Sequence, residues 1–453
     1  TGALLGSVRG DVVLDAKYSF SGTRKGIGIK STTDNAGLLV NTLESGKLTL
    51  KSLSGTSDAG ETPTITTSAA NAAAGGLIGC VNEDASVDIA GALDVSNLTV
   101  TATGNEGTAG GFTGRARNFT LTFDKDADGK SGSVKPALKV GDASTTYAGG
   151  VIGDVSFAGD VTIEPDQFKY DNTAVVELGA KKRAGGLFGR LDLTNGDVTV
   201  NGGTYRSKLA TGQDDKVNSR GSYGGIAGNV CSSNTNVIHA LNVEKSGDAA
   251  AHIEIERAAS LCYTGGIAGY QGDDAATTKQ KVAIVLDGAE VKINGAAYAY
   301  TSEGKLGGAV GVVDTDQLLD VRDFKLSSAN EIGEQGGGSA GIAGSAWRGI
   351  IKFSGTTDLS DAKLADSNLA AQLVYQNYNA LIFATGSGSD SDWTFKRPAA
   401  VKIDDVYSYG EVIRLTGESG LSKDLIKVDE GHKLELSGTK LSKTDDAYVL
   451  KSA

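Results

Sequence analysis

Short apolar stretches alternate with turn residues along almost the whole chain, and one kind of stretch recurs at a regular interval. It reads Gly-Gly-x-x-Gly, with an apolar residue directly after the second glycine, as in Gly75-Gly76-Leu77-Ile78-Gly79. The eight copies have their second glycine at Gly76, Gly111, Gly150, Gly186, Gly225, Gly266, Gly308 and Gly341. The interval averages about 38 residues, and a fixed interval of this size is the signature of a repeat architecture.

Each repeat also carries two further short runs in which apolar and polar residues alternate. After the first full motif they are Ser86-Val87-Asp88-Ile89 and Leu98-Thr99-Val100-Thr101, and Gly, Asn, Asp or Ser residues bound such runs. Alternation with a period of two over four to six residues is typical of a strand that ends in a turn. Three short strands per repeat predict one coil of a solenoid.

A single coil cannot bury its own apolar side, whereas coils stacked about 4.8 Å apart pair every strand and form one continuous core. We therefore predict an all-β fold, a right-handed parallel β-helix (β-solenoid) of about 11–12 coils of roughly 38 residues. Counted from the second glycine, positions +1 and +5 should point inward. The solenoid would occupy residues 1–415, with weaker motif copies at Ala36-Gly37-Leu38-Leu39, Asn379-Ala380-Leu381-Ile382 and Tyr409-Gly410-Glu411-Val412. Residues 416–453 would add C-terminal β coils or a cap.

The motif glycines are expected to serve the backbone. A pair of glycines permits a turn with positive φ, and the glycine at +3 leaves room for a large neighbour or a bend. A phosphate-binding loop is the functional alternative. It would need a following helix and a suitably placed Lys, Ser or Thr, and the sequence offers neither.

The motif core resembles the GLUG-type repeats of large bacterial surface proteins, as in Tyr263-Thr264-Gly265-Gly266-Ile267-Ala268-Gly269-Tyr270. The resemblance covers about residues 1–415. It implies an extracellular, wall-associated β-helix that is presented on a long polypeptide, and it implies no catalytic residues.

Composition narrows the choice of partners. The chain has 64 glycines but only 4 prolines, which excludes collagen. Lys and Arg number 43 against 55 Asp and Glu, so the net charge is −12, which argues against binding to nucleic acid or to anionic lipid. No apolar stretch is long enough to predict direct membrane insertion. The three cysteines, Cys80, Cys231 and Cys262, are too scattered to predict a disulfide framework.

One segment has the composition of a calcium loop. Asp124, Asp126 and Asp128 alternate with other residues before Gly129, and alternating carboxylates can supply oxygens to one Ca²⁺ ion. The twelfth position of the loop is Lys135 rather than Glu, which excludes an EF-hand. A partial Ca²⁺ site and a plain acidic turn both remain as interpretations.

Charged residues cluster at the outward positions +4 and +6 of three successive coils, at Arg115, Arg117, Asp154, Ser156, Arg190 and Asp192. A glycan-cleaving β-helix enzyme would place acids and bases on such a face. Opposite charges one coil apart also stabilise stacked strands. Because each coil carries at most one acid at these two positions, we favour a structural ladder. We predict no catalytic residue, and His239, His252 and His432 have no partners that would form a triad.

Five tyrosines form the candidate contact surface for a glycan or a protein. Tyr223, Tyr263, Tyr270, Tyr298 and Tyr300 fall in neighbouring coils, with Trp347 a little beyond. Flat aromatic rings bind sugars and are common at protein contacts, although tyrosines also suit strands.

These observations favour a non-enzymatic extracellular adhesin or stalk segment, located at the cell surface and anchored through regions outside it. Its expected partner is a glycan or protein of a host or neighbouring cell. A polysaccharide-degrading β-helix lyase or hydrolase is the first alternative. The second alternative is a subunit of an extracellular filament, which self-associates end to end.

Overall fold

The computed structural model describes most of the chain as strands and turns. The described residues are 4–20, 28–57, 62–125, 129–169, 174–210, 221–234, 236–257, 262–272, 281–295, 304–330, 338–347 and 349–363, and the strands 374–378, 381–384, 393–396, 426–428 and 434–436. Within them there is no helix, and so no helix that could cross a membrane. The strands pair in parallel from coil to coil in three sheets, which confirms the predicted β-solenoid.

We call the first sheet the motif sheet. It contains nine strands of two or three residues, and each strand ends at the first glycine of the motif or at the equivalent position. That glycine lies opposite its counterpart in the next coil all the way from Gly75 to Gly307. The strands are Ala36–Gly37, Ala73–Gly75, Thr108–Gly110, Tyr147–Gly149, Arg183–Gly185, Ser222–Gly224, Tyr263–Gly265, Lys305–Gly307 and Gly338–Ala340.

The second sheet follows each motif after a sharp corner, and most of its strands begin at position +2. Its main path contains the strands Leu5–Arg9, Val40–Ser57, Ile78–Val81, Thr113–Phe123, Ile152–Phe157, Phe188–Asp192, Ala227–Cys231, Ala268–Gln271, Val310–Val313, Ala343–Trp347 and Val374–Tyr378. Four more strands extend this sheet in the first coils, namely Val12–Phe20, Ala85–Ile89, Ala92–Asp94 and Ser133–Lys135.

The third sheet closes each coil, either as two short strands or as one long strand. In the first coils it contains Gly28–Ser31, Thr64–Thr67, Thr99–Ala102, Lys139–Gly141, Val161–Ile163, Val176–Gly179, Val198–Asn201, Thr204–Leu209, His239–Glu244 and Ala251–Arg257. It continues with Val282–Gly295, Leu318–Ser328, Ile350–Asp361, Leu381–Ala384, Trp393–Lys396, Ile426–Val428 and Leu434–Leu436. The two runs of alternating residues predicted at 86–89 and 98–101 are both strands. The first is Ala85–Ile89 in the second sheet, and the second is Thr99–Ala102 in the third sheet.

The core is built as predicted from positions +1 and +5. The +1 side chains are fully buried in all eight copies, at Leu77, Phe112, Val151, Leu187, Ile226, Ile267, Ala309 and Ile342. Strict alternation fails at one point, because the +2 side chains are buried as well, for example Ile78 and Phe188. The backbone explains this: the amides of Leu77 and Ile78 both donate to the carbonyl of Phe112 in the next coil, so the chain turns between them.

The expected reason for the glycine pair is wrong, because none of the motif glycines has a positive φ. A Cβ on Gly75 would lie 1.8 Å from the Ile78 carbonyl oxygen and 2.7 Å from the Gly114 amide nitrogen. A Cβ on Gly114, at +3, would lie 2.6 Å from the Ala74 carbonyl oxygen. The glycines are needed because the motif sheet and the second sheet meet backbone to backbone at this corner.

The weak motif copies need correction. Among the described residues the motif sheet spans eight steps of about 38 residues from Gly37 to Ala340, which gives about eight turns, whereas 11–12 coils were predicted for the whole chain. Gly37 pairs with Gly75, not with the second glycine of that motif, so this copy is offset by one residue. The strand Leu381–Ala384 pairs with Ile350–Phe353 in the third sheet, so the copy proposed at 379–382 is wrong. The copy at 409–412 lies outside the described residues.

The region after residue 415 is described only at two strands. Ile426–Val428 pairs with the strand Leu381–Ala384, and Leu434–Leu436 pairs with Trp393–Lys396. These pairings continue the third sheet. The division at 415 and the hand of the helix stay predictions.

Candidate functional site

The charged cluster on the second sheet is an ion-pair ladder centred on Asp154. Arg115, Asp154 and Arg190 lie directly opposite one another on successive coils. The carboxylate of Asp154 is 3.5 Å from Arg190 and 3.9 Å from Arg115, and it also accepts a short hydrogen bond from Arg117. One carboxylate is thus shared by three guanidinium groups, which is the arrangement that stabilises stacked strands.

This cluster is less exposed than its outward position predicted. The Asp154 side chain is only 3 % exposed, and Asp192 is buried too. Arg115 donates to the backbone carbonyls of Asn71 and Glu106, which belong to the turns before two motif strands. These turns fold over position +4 because the glycine corner brings the motif sheet close to the second sheet. An acid so enclosed and so fully paired suits a structural role.

Burial also shifts the pKa values of two titratable groups near this cluster. It raises the pKa of the Cys80 thiol and the pKa of the Tyr147 phenol above their ordinary values. A thiol with a raised pKa holds less of the nucleophilic thiolate. Cys80, Cys231 and Cys262 are all buried.

The five predicted contact tyrosines are separated by the structure. Tyr223 lies in the core, where its hydroxyl is 2.9 Å from the Ser207 hydroxyl, so it is not a contact residue. Tyr263 and Tyr270 stack at 5.8 Å between ring centroids, outside the main core. Tyr298 and Tyr300 lie outside the described residues.

The stacked pair belongs to a small aromatic cluster formed by Tyr263, Tyr270, Val312 and Trp347. Trp347 packs edge-on against Tyr263 and Tyr270, at 6.1 and 6.5 Å between centroids, and remains half-buried. Tyr263 and Tyr270 are buried beneath it. Contact with a ligand at this cluster would therefore have to involve Trp347.

One of the three predicted Ca²⁺ ligands lies in the described part of the chain. Asp124 is described, whereas Asp126 and Asp128 lie outside the described residues. Lys125 and Ser131 form an antiparallel bridge, and the Gly132 amide donates to the Asp124 carbonyl, so the two ends of the segment lie side by side. Among the described residues no group of three or more His, Cys, Asp or Glu side chains could hold a metal ion.

Two of the three histidines lie beside a carboxylate. The ring nitrogen Nδ1 of His239 is 3.1 Å from Asp197, and Nδ1 of His252 is 3.1 Å from Glu290. His432 lies outside the described residues. Neither described pair is joined by a serine or cysteine nucleophile at hydrogen-bond distance.

A surface groove of about 290 Å³ lies on the outer face of the third sheet. One side follows a column of residues paired in register across four coils: Thr204, His252, Glu290 and Lys325. We call this groove the charged groove. Between its two sides lie Ile253 and Val291, which are buried but still contribute to the lining of the groove.

A second column forms the other side of the charged groove, two residues further along the same strands: Arg206, Glu254, Lys292 and Ser327. Glu254 is 3.0 Å from Arg206 and 3.5 Å from Lys292. The acidic and basic residues within each column alternate in sign along the axis of the solenoid. Sequence reasoning missed the groove because the coils differ in length, so the register of this sheet could not be read from spacing.

Comparisons with protein-family models, with curated proteins and with solved structures found no match to this chain.

Proposed function

We propose that this chain is a non-enzymatic segment of an extracellular surface adhesin or stalk, which presents binding faces on a rigid solenoid. The observation that carries the proposal is the unbroken path of the second sheet, whose strands pair coil to coil from Leu5–Arg9 to Val374–Tyr378. At about 4.8 Å per coil the eleven strands of this path extend over roughly 50 Å. Such stacking supports a stiff spacer with long side faces.

The distribution of charge supports a scaffold. Asp154 is held by three arginines, and on the third sheet Lys139, Glu177, Lys208 and Glu256 alternate in register. In a parallel stack such ladders stabilise neighbouring strands, because opposite charges lie one coil apart. The acids in these ladders lie beside basic residues, whereas an acid–base enzyme would need an acid that is available to its substrate.

The resemblance to GLUG-type repeats supports a location at the bacterial cell surface, with the anchor outside this segment. The partner we propose is a glycan or protein on a host or neighbouring cell. The net charge of −12 disfavours nucleic acid and anionic lipid as partners. Ca²⁺ bound by Asp124, Asp126 and Asp128 would stiffen an external loop, and it is proposed as an accessory ion only.

The experiment compares binding with turnover. The purified chain is applied to arrays of glycans and of surface proteins, and the same ligands are incubated with it and analysed for shortened products. We expect binding without products. Release of products that is lost in Asp154→Asn or Asp192→Asn would instead establish the glycan-cleaving alternative.

A further inference from the structure

We infer that the charged groove on the third sheet binds a neutral oligosaccharide, whose hydroxyl groups bridge the two columns that line the groove. The inference rests on the proposed adhesin function and names its site and ligand class. The groove volume of about 290 Å³ is close to the lower end of the 300–1,000 Å³ range of small-ligand sites. A short oligosaccharide segment is the appropriate size of occupant.

The groove presents both hydrogen-bond donors and acceptors to solvent. The side chain of Glu290 is 44 % exposed, that of Lys292 is 50 % exposed and that of His252 is 54 % exposed. Thr204 and Ser327 add one hydroxyl group to each column. A sugar hydroxyl both donates and accepts, so it can bond to a carboxylate and an ammonium group at once.

The balance of charge selects against other ligand classes. Arg206, Lys292 and Lys325 provide three positive charges, and Glu254 and Glu290 with Asp361, which is 2.6 Å from Lys325, provide three negative charges. The two glutamates would repel a polyanion, and the three basic residues would repel a polycation. Ile253 and Val291 also line the groove, and an apolar ligand placed on them would desolvate the exposed charges of Glu290 and Lys292. A neutral ligand rich in hydroxyls meets none of these penalties.

Glu290 is the residue best placed to contact the ligand. Within the described part of the chain its one direct partner is His252, at 3.1 Å. Glu254 is more fully engaged, because Arg206, Lys292 and Asn294 all approach its carboxylate. Glu254 therefore holds the side chains of its own column in position, and Glu290 retains the capacity to accept a hydrogen bond from a sugar hydroxyl.

The groove also has a direction. Its two columns cross the strands, so an oligosaccharide lying in it would run parallel to the solenoid axis over four coils, a distance of about 15 Å. Each coil would then offer a new pair of side chains to the next part of the ligand. Affinity should therefore rise with the number of sugar rings until the groove is filled.

The test uses neutral, uronic-acid-containing and sulfated oligosaccharides with the wild-type chain, Glu290→Gln and Glu177→Gln. Glu177 is the matched control, because it forms a 3.2 Å ion pair with Lys208 on the same sheet but does not line the groove. We expect wild type to bind neutral oligosaccharides, Glu290→Gln to bind them at least tenfold more weakly, and Glu177→Gln to bind like wild type. A tenfold loss corresponds to about 1.4 kcal/mol.

Three results would overturn the inference, and they separate it from the proposed function. If neutral oligosaccharides bind wild type and Glu290→Gln equally, the adhesin proposal stands and the groove is not the site; Trp347→Ala then tests the aromatic cluster. If only acidic oligosaccharides bind, and more weakly as salt rises, the ligand class is wrong. If the chain cleaves the oligosaccharide, the proposed function itself fails. Circular dichroism of both variants establishes that they are folded.

Discussion

Replacement of one motif glycine by alanine tests the glycine corner most sharply. In Gly153→Ala the new Cβ would lie 2.5 Å from the carbonyl oxygens of both Ala109 and Gly114, and 2.9 Å from the Ala109 carbonyl carbon. All three atoms belong to the backbone of the preceding coil, so a side-chain rotation cannot relieve the contact. The coils would have to separate locally by at least half an ångström, roughly a tenth of the distance between paired strands.

We expect Gly153→Ala to destabilise the chain by about 3 kcal/mol, the upper part of the range for overpacking a core. Gly159→Ala is the matched control, because its Cβ would have no atom within 4 Å. Urea unfolding followed by circular dichroism measures both, and amide hydrogen exchange shows whether the loss is centred on this coil, since solenoids unfold in segments. A Gly153→Ala protein within 0.5 kcal/mol of Gly159→Ala, on the order of an ordinary surface change, would refute the backbone-contact explanation.

Three further predictions concern the ladder, the core and a buried thiol. Asp154→Asn should lower the free energy of unfolding by about 2–4 kcal/mol, because three arginines lose their shared charge; a change below 1 kcal/mol in chemical denaturation would contradict the ladder. Leu187→Ala should cost about 2–5 kcal/mol, whereas Val13→Ala at an exposed position should be nearly neutral in the same assay. Burial raises the pKa of Cys80, so its contribution to stability is present below the ordinary value of 9.0 and is lost as pH rises through the folded pKa. Cys80→Ala should therefore flatten the decline in stability above pH 9.0, and an unchanged slope would count against this assignment.

The repeat made most of the fold predictable. Eight motif copies set the phase of the coils, and the +1 and +5 positions occupy the core because a strand alternates its faces. The structural role of the motif glycines was not predictable. A glycine that is required by a backbone contact between two sheets looks the same in the sequence as a glycine that is required by a turn. Gly37 was misaligned by one residue because it lacks the second glycine that marks the register in the full copies.

The outer faces were harder to predict. Asp154 and Asp192 stand at outward positions, yet both are buried. The charged groove depends on residues 48, 38 and 35 positions apart in sequence, from Thr204 to Lys325, so no fixed interval identifies it. Tyr223 was assigned to a contact surface because a tyrosine in a strand can face either the core or solvent.

We propose that this solenoid holds a ligand on its outer face without altering it. The most direct test is mass spectrometry of an oligosaccharide that is captured by the immobilised chain, incubated and eluted. We predict that the eluted ligand has the same mass and the same number of sugar rings as the ligand applied. Recovery of shortened fragments, with the intact ligand recovered from Asp154→Asn, would contradict it.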